Sequence, residues 1–563
     1  MKRSNLFLGM LLVLSMFFVG RMYAEEPIMM LNFKIGNNDF KKVTFRIGYN
    51  SEEKFSLKVD EGNGVIITKN LYNGNSDIEL TVQSSGNVKI YGDAQLITSF
   101  RMRNAANENI NLSSVDMSRL PELNSLIFDY YIGVESVVLG YAPKLEYIYI
   151  MGVKEINLEG AVNLQSLDLS SCGVDILDLR CLSALKSLKL ISASIKSLDL
   201  SGLQNLQSLD LSSCSVDILD LRCLSGLKSL KFISASIKSL DLSDLPNLQS
   251  LDLSACNIRK LELKNLPNLT ELMLSDGYVV NKLDLSGCPA LTDFTMCHSM
   301  IRPIDISHNP ALVNVNFRNS DLSYIDLSNN PAIKMLDLSC HMSEGMSEID
   351  LSAQTELEEL YVAYNSLTSI DLSANKKLKS LDLTGNKFTF ATLPSGYEII
   401  PYYYGGQAIY EVIPDGQKVD LSSQYKVFTG VPGDDSPNYT EYVWRDIRSG
   451  KVYKEGVDYT SVEGVFTFKE PLQDIYCEME NTWFPQLKLK TNTISVVGVD
   501  STPEESVFVR GGDGEIYIEG EAVNVEVFNS SGVKTGENKS VFACQPGLYI
   551  VKADSRIFKV VVR

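Results

Sequence analysis

The sequence predicts a mainly β protein whose centre is a solenoid of 21-residue coils with a parallel sheet on its concave face. The first indication is a row of leucines spaced 21 residues apart: Leu164, Leu185, Leu206, Leu227, Leu248 and Leu269. The second is an L-x-L spacing within each unit, which alternates between two faces as a β-strand does. One coil cannot bury its own apolar face, so neighbouring coils must share a core. We therefore expect function to lie on surfaces.

Each central unit reads L-x-x-L-x-L-x-x-(N/C/A)-x-(V/I)-x-x-L-D-L, as from Leu164 to Leu179. This is the leucine-rich-repeat signature. Together with L-D-L-S units at Leu285, Leu327 and Leu372, it resembles internalin-like bacterial surface proteins. The resemblance covers residues 96–390, more than half the chain, and implies a binding protein, commonly an adhesin.

Residues 164–205 and 206–247 match at all but five positions: Gly173/Ser215, Ala184/Gly226, Leu190/Phe232, Gly202/Asp244 and Gln204/Pro246. This match indicates tandem duplication of a two-coil block.

The N-terminus has the order of a secretory signal peptide, which we place at residues 1–24. Lys2 and Arg3 precede an apolar run from Leu6 to Val19, and Ala24 precedes two glutamates. An uncleaved anchor is the alternative, although the run is short for a membrane span. Residues 25–95 alternate in polarity and are predicted to form a β-rich cap, because a solenoid end exposes apolar surface.

Beyond the solenoid, residues 396–495 resemble an immunoglobulin-like β-sandwich, with Trp444 and Cys477 in its core strands. Residues 496–515 are predicted to be a linker.

Residues 516–563 resemble the C-terminal sorting domain of type IX (Por) secretion cargo. The pattern comprises V-x-V-F before Gly532, a strand with Gly547 and Tyr549, and a closing strand with Lys559. The departures are Val533, where the family often has Arg or Lys, and Cys544. The resemblance implies passage through the type IX secretion machinery, removal of this domain and attachment to the outer membrane through lipopolysaccharide.

Composition and motifs narrow the function classes. The formal charge of −19 without a basic run argues against a nucleic-acid partner. The three histidines are spread over separate coils, and no hydrolase, metalloprotease or phosphate-loop motif occurs. We predict no enzyme activity, no catalytic residues, no cofactor and no metal.

Several cysteines recur two coils apart, at Cys172, Cys214 and Cys256. That separation, about 10 Å for stacked strands, exceeds the reach of a disulfide. These cysteines hold the Asn/Cys position of the repeat, and we predict buried thiols that satisfy the turn.

Alternation along each strand predicts which side chains face the concave surface. Their middle position alternates in charge: Asp168, Lys189, Asp210, Lys231 and Asp252. Two interpretations stand: charge compensation on a solvated sheet, and a patterned surface for a polar ligand.

A second Asp column, in the L-D-L motif, does not alternate: Asp178, Asp199, Asp220, Asp241, Asp284, Asp305, Asp326, Asp350 and Asp371. Hydrogen bonds from N–H groups of the following turn would satisfy each carboxylate. A calcium ladder is the alternative.

Aromatic and Arg side chains, which favour binding, lie toward the ends of the solenoid. Tyr147, Tyr149 and Tyr361 occupy outward positions, and Arg318 lies near the last of these. They are interpreted either as partner contacts or as packing against the flanking domains.

The sequence therefore favours a non-enzymatic cell-surface or secreted adhesin that binds a host or bacterial surface protein or glycan. The alternatives are a surface glycan-capture or nutrient-acquisition component and an envelope-structural protein.

Overall fold

The structure is a computed structural model. It describes residues 26–562 except for short segments, which are 34–39, 51–54, 63–64, 72–73, 84–85, 104–109, 130–131, 196, 216–218, 237–239, 257, 259–260, 277–282, 300–303, 342–344, 395–400, 429–435, 498–507, 512–514, 520–524, 530–532, 538, 540, 546 and 554–555. The predicted signal peptide and part of the predicted linker lie outside the described residues.

One long sheet runs along the concave face of the solenoid. Its second strand pairs antiparallel with both the first and the third, and from the third strand onward the strands are parallel, one per coil. In spatial order they are Asn75–Gln83, Phe40–Tyr49, Ile97–Arg103, Ser125–Phe128, Tyr147–Tyr149, Ser166–Asp168, Ser187–Lys189, Ser208–Asp210, Ser229–Lys231, Ser250–Asp252, Glu271–Met273, Asp293–Thr295, Asn314–Asn316, Met335–Asp337, Glu359–Tyr361, Ser380–Asp382 and Tyr402–Tyr403.

The leucines of the repeat form the core. Leu164, Leu167 and Leu169 are completely buried, and Leu167 pairs in register with Leu188 of the next coil. Backbone N–H groups of one coil donate to carbonyls of its neighbour, as Lys186 and Ser187 both donate to Gln165. Apolar burial and backbone pairing thus both join neighbouring coils.

Small polar side chains close the turn after many of the concave strands, and Ala193 and Ala235 take this position in two coils. Cys214 Sγ donates to the Leu190 carbonyl at 2.8 Å, Ser320 Oγ donates to the Met296 carbonyl, and Asn386 Nδ2 donates to the Val362 carbonyl at 2.9 Å. Cys172, Cys214 and Cys256 are buried, and burial raises the pKa of the Cys214 thiol. The prediction of buried thiols at the Asn/Cys position is confirmed.

A second column of amides, which the sequence analysis missed, lies on the opposite side of the coils. Asn309, Asn330, Gln354 and Asn375 are buried, and each donates to a carbonyl of the preceding coil. The earlier coils have Leu203, Leu224 and Leu245 at the equivalent position, so they fill the same space with apolar side chains. The same buried position is therefore filled by leucine in the earlier coils and by a hydrogen-bonded amide in the later coils.

The residue before the first polar column adopts a left-handed conformation in successive coils. Ser171, Ser192, Ser213 and Ser234 have φ between 55° and 58°, and Gly385 takes this position in a later coil. Residues with a Cβ pay a steric penalty there that glycine avoids.

A second sheet covers the N-terminal part of the solenoid. In spatial order its strands are Glu155–Ile156, Ser136–Leu139, Ile110–Met117, Met29–Phe33, Asn87–Tyr91, Phe55–Asp60 and Ile66–Leu71, with Ile132–Val134 beside Ile110–Met117.

Phe45 stacks on Phe100 at 5.6 Å between ring centroids, and Phe100 contacts Phe128 at 5.8 Å. This aromatic column continues the core from the N-terminal strands into the first coils.

Small strands and one short 3₁₀ turn follow the solenoid. They are Lys418–Asp420, the 3₁₀ turn Ser422–Gln424, Lys426–Val427, Asn438–Tyr439, Glu441–Asp446, Tyr459–Val462, Val465–Phe468, Leu472–Glu480, Lys488–Lys490 and Ile494–Val496. Buried Trp444 contacts Phe466 and Phe468 on a separate sheet, with ring centroids 5.4 and 5.1 Å apart. Two sheets therefore pack face to face around this indole.

The C-terminal strands form two further sheets. They are Phe508–Gly511, Glu515–Glu519, Val525–Asn529, Lys534–Glu537, Val541–Ala543, Gly547–Ala553 and Arg556–Val562. Ile516 and Phe542 of the first sheet share a core with Val527, Val551 and Val560 of the second.

The predicted mainly β class with a 21-residue parallel solenoid is confirmed. In the described part of the chain, no helix has the length and apolar character needed to cross a membrane.

The left-handed column predicts a stabilising substitution. Ser192→Gly should raise the free energy of unfolding by about 0.5–1 kcal/mol, because the relief of Cβ strain exceeds the extra entropy of an unfolded glycine. Ser194→Gly is the matched control: Ser194 is also exposed but is absent from the positive-φ set, so this change should lower stability. The measurement is the urea midpoint followed by circular dichroism. Equal midpoint shifts in both variants would contradict the strain argument.

Candidate binding surface

The concave sheet brings six of the predicted binding residues into one row. Strand register places Tyr149 beside Asp168, followed in order by Lys189, Asp210, Lys231 and Asp252. Adjacent members lie one strand apart, about 4.8 Å. We call this row the charged row.

The aspartates of the charged row are held by their own coils. Asp168 Oδ1 accepts hydrogen bonds from the Ser170 backbone N–H at 3.1 Å and from Ser170 Oγ at 2.6 Å. Asp210 makes the same pair of bonds with Ser212. Asp252 accepts from the Ser254 N–H and is only 6% exposed. These carboxylates shape the turn, and Asp252 presents little surface to a ligand.

The lysines of the charged row are more accessible. Lys189 and Lys231 are exposed, and no carboxylate of the described residues lies within ion-pair distance, 4.0 Å, of either ammonium group. Charge compensation in this row therefore does not take the form of close ion pairs. Both lysines remain available to a partner.

Tyr147 and Tyr149 extend this surface toward the N-terminus from a single strand. Tyr147 is 38% exposed, and partial burial, reinforced by Asp168, raises the pKa of its phenol. Tyr149 is half-buried and its hydroxyl donates to Met151 Sδ at 3.5 Å. The two rings form an amphipathic end to the charged row.

Arg318 and Tyr361 lie at a distance from those tyrosines. Tyr361 is ten strands from Tyr149, about 48 Å along the sheet. Its hydroxyl donates to Glu359 Oε2 at 2.9 Å, and Arg318 is exposed with its backbone N–H bonded to Asn316 Oδ1. The predicted residues therefore span an extended face, and no small-molecule pocket holds them all.

The face changes character after the charged row. The serine column that ends at Ser250 continues as Glu271 and Asp293, and Ser250 Oγ donates to Glu271 Oε2 at 2.6 Å. Asp293 accepts a bond of 2.6 Å from Asn314 Nδ2. This acidic region is not among the residues predicted from the sequence, which centre on the duplicated residues 164–247. The alternation of inward and outward side chains applies equally to the later coils.

A shallow polar depression of about 720 Å³ lies beside the strands of the early coils. Its lining includes Asn163, Gln165, Lys186, Asn205 and Gln207. The Asn163 and Asn205 amides already donate to carbonyls of the preceding coil, and Lys186 Nζ donates to Gln165 Oε1. No aromatic ring is among these lining residues, so the depression lacks a platform for stacking a sugar.

The second Asp column makes the turn hydrogen bonds predicted for it. Asp199, Asp241, Asp284 and Asp371 each accept the N–H of the serine two positions later, at 2.8–3.0 Å. Asp178 additionally holds the Arg180 guanidinium through two bonds of 3.0 and 2.7 Å. The arginine lowers the pKa of Asp178 to about 2, and Arg222 does the same for Asp220. The backbone thus gives each of these carboxylates a partner.

The described residues contain no group of three or more His, Cys, Asp or Glu side chains positioned to hold a metal ion. Burial raises the pKa of Cys288 to about 12, so this thiol has little nucleophilic character at neutral pH.

The predicted sorting residues lie in or beside the C-terminal strands. Gly547 and Tyr549 are in one strand, and the Tyr549 hydroxyl donates to the Gln545 carbonyl at 3.0 Å. Lys559 pairs in register with Ile550. Gly532 lies outside the described residues.

The Asp178–Arg180 and Asp220–Arg222 pairs predict a specific acid sensitivity. Their folded pKa values, about 2, lie below the value of about 3.9 for an unfolded Asp. The stabilisation is therefore fully present above pH ~4 and is lost as pH falls toward ~2. Arg180→Ala with Arg222→Ala should flatten the fall of the thermal midpoint across this window. Arg318→Ala is the single-arginine control, and an unchanged slope in the double variant would refute the assignment.

Comparisons with known proteins agree with the repeat architecture. Residues 374–389 match the family described as Leucine Rich repeat. No curated protein matches the chain in a sequence search.

Solved structures with similar folds include the functional domain of InlJ from Listeria monocytogenes, described as including a cysteine ladder. It is 19% identical, with a TM-score of 0.45, and the match covers 73% of this chain and 93% of that one. An internalin from Listeria monocytogenes is 18% identical, with a TM-score of 0.37 and coverage of 51% and 82%. A Leptospira interrogans LRR protein is 16% identical, with a TM-score of 0.37 and coverage of 48% and 75%. At these identities and TM-scores the likeness supports no conclusion about this chain. The matched repeat and the stacked 21-residue coils together identify the centre of this chain as a leucine-rich-repeat solenoid.

Proposed function

We propose that the chain is a non-enzymatic cell-surface or secreted binding protein, an adhesin that holds a protein on a host or bacterial surface. The observation that carries this proposal is the unbroken concave face. From Tyr147–Tyr149 to Tyr402–Tyr403 each short strand pairs in register with the preceding strand and adds outward-facing side chains to the same surface.

The size of this face suits a macromolecular partner. Twelve steps of about 4.8 Å and strands about 10 Å wide give an area of about 600 Å². A standard protein interface buries about 800 Å² per partner. A partner that covers most of the face and reaches its edges therefore has enough contact for stable binding, whereas a small ligand would use little of it.

Rigidity supports the same function. The outward side chains stand on strands whose leucines are fully buried and whose carbonyls are bonded to the next coil. A preformed surface loses little conformational entropy on binding, so many modest contacts can add up to useful affinity. Exposed Tyr147 and half-buried Tyr149, at the N-terminal end of the face, are the side chains best suited to dominate that affinity.

The proposal extends to location. We propose export by the predicted signal peptide, recognition of residues 516–563 by type IX secretion machinery, and attachment to the outer membrane through lipopolysaccharide. The support is the sequence pattern and the two C-terminal sheets that share one core.

Protease shaving of intact cells followed by mass spectrometry tests location. We expect peptides from the solenoid in the released fraction and a mature C-terminus upstream of Gly520. Lysed cells give the total peptide set as a control. Protection of the solenoid in intact cells, with residues 520–563 retained, would favour the envelope-structural alternative.

Substitution of the two tyrosines tests the binding face. Tyr147→Ala with Tyr149→Ala should weaken binding to an extracellular-matrix protein array by about tenfold or more, because exposed aromatics often dominate interfaces. Tyr141→Ala with Tyr324→Ala is the matched control, since these rings are exposed but lie off the concave strands. Unchanged binding by the first variant would oppose the assigned face. Binding to a glycan array alone would favour the glycan-capture alternative.

A further inference from the structure

The duplicated block gives the concave face a two-coil period. Residues 164–205 and 206–247 differ at only five positions, and their strands stack without a shift in register. Lys189 and Lys231 are therefore equivalent positions two strands apart, about 9.6 Å.

Charge is unequally available within this period. The Asp168 and Asp210 carboxylates are each engaged by a serine of the same coil through two hydrogen bonds. The two lysines have no carboxylate within 4.0 Å among the residues that the structure describes. For an approaching ligand the accessible charge is therefore one ammonium group in every second coil, although the whole chain is acidic.

An apolar side chain accompanies each of these lysines. Ile191 and Ile233 lie two residues beyond Lys189 and Lys231, in the turn that follows each strand, and both are half-buried. The intervening coils carry the buried serines Ser170 and Ser212 at the isoleucine position. The face thus presents a cationic row beside an apolar row, both with the same spacing of about 9.6 Å.

We infer that this part of the face binds a polyproline-II segment with an acidic residue at every third position. Such a helix has three residues per turn and rises about 3.1 Å per residue, so equivalent side chains recur every ~9.3 Å. Carboxylates on one edge of the segment then meet Lys189 and Lys231, while proline rings on the next edge contact Ile191 and Ile233. This inference names the partner class for the proposed binding face and depends on that proposal.

Other peptide conformations fit these rows less well. Same-side residues of an extended strand recur every ~6.8 Å, well short of two coils. A helix that docks through its apolar face needs a hydrophobic groove. Here the neighbouring column consists of Ser166, Ser187, Ser208, Ser229 and Ser250. A polyproline-II segment needs no groove, and its preformed backbone keeps the ordering cost low.

The test is fluorescence anisotropy of the full chain with a labelled peptide of repeated Glu-Pro-Pro triplets. We expect saturable binding that Lys189→Gln with Lys231→Gln weakens about fivefold, the loss expected for two exposed charge contacts. Lys186→Gln with Lys228→Gln removes the same charge just before the strands and should leave the affinity unchanged. A peptide of equal charge with Glu at every fourth position should bind more weakly than the triplet peptide.

Three results would overturn the inference. The first is equal affinity for the peptides with Glu at every third and every fourth position, and the second is an equal loss of peptide affinity in the two double-lysine variants. The third is lysine-dependent binding of hyaluronan that is tighter than binding of the triplet peptide, which would make the occupant an acidic polysaccharide. The matrix-protein array separates this inference from the proposed function. If the chain binds the matrix-protein array but not the peptide, only the polyproline-II partner is wrong. If the chain binds neither the array nor the peptide, the proposed binding face is wrong as well.

Discussion

The fold depends on the fact that no coil can satisfy itself. Its leucines are buried only when the next coil covers them, and the backbone groups of its concave strand find their partners in neighbouring coils. From Tyr147–Tyr149 to Ser380–Asp382 each concave strand is three residues long, because the chain must then turn to reach the other side of the solenoid. The thiols, hydroxyls and amides at the turns also join neighbouring coils, because they donate hydrogen bonds to carbonyls of the preceding coil.

That requirement separates the side chains into two groups with different duties. The inward set is fixed by packing, whereas the outward set is held by hydrogen bonds within its own turn, as between Asp168 and Ser170, or to the adjacent strand, as between Ser250 and Glu271. The result is a surface whose backbone is rigid and whose chemistry varies from coil to coil. Serines with alternating Asp and Lys line the strands of the duplicated block, and acidic side chains without lysine follow in the strands from Glu271 to Asp382. A face of this kind is suited to distributed recognition of a long partner.

Much of this architecture follows from the sequence because periodicity reports packing directly. The 21-residue leucine spacing predicts the stacked coils, and the alternation of Asp168 and Lys189 predicts their outward positions. Spacing does not reveal what else each carboxylate binds: Asp168 and Asp178 both accept the N–H of the residue two positions later, yet Asp168 also accepts the Ser170 hydroxyl and Asp178 also holds the Arg180 guanidinium. The burial of Asp252, the left-handed backbone of the turn serines and the hydrogen bonds of the column from Asn309 to Asn375 depend on three-dimensional packing, which residue spacing alone does not reveal. The roles of the tyrosines, the domain boundaries and the sorting residues remain predictions.

The register of the duplicated block has an evolutionary consequence. Residues 164–205 and 206–247 begin and end at equivalent points, with matching left-handed serines at Ser171 and Ser213 and matching thiols at Cys172 and Cys214. Recombination between such copies inserts or removes two coils at once while every junction keeps native contacts. The protein can therefore change its length in steps of about 9.6 Å, and each step adds or deletes one Lys–Ile pair. Selection for a longer or shorter solenoid and selection for the number of Lys–Ile pairs on its face then act on the same genetic event.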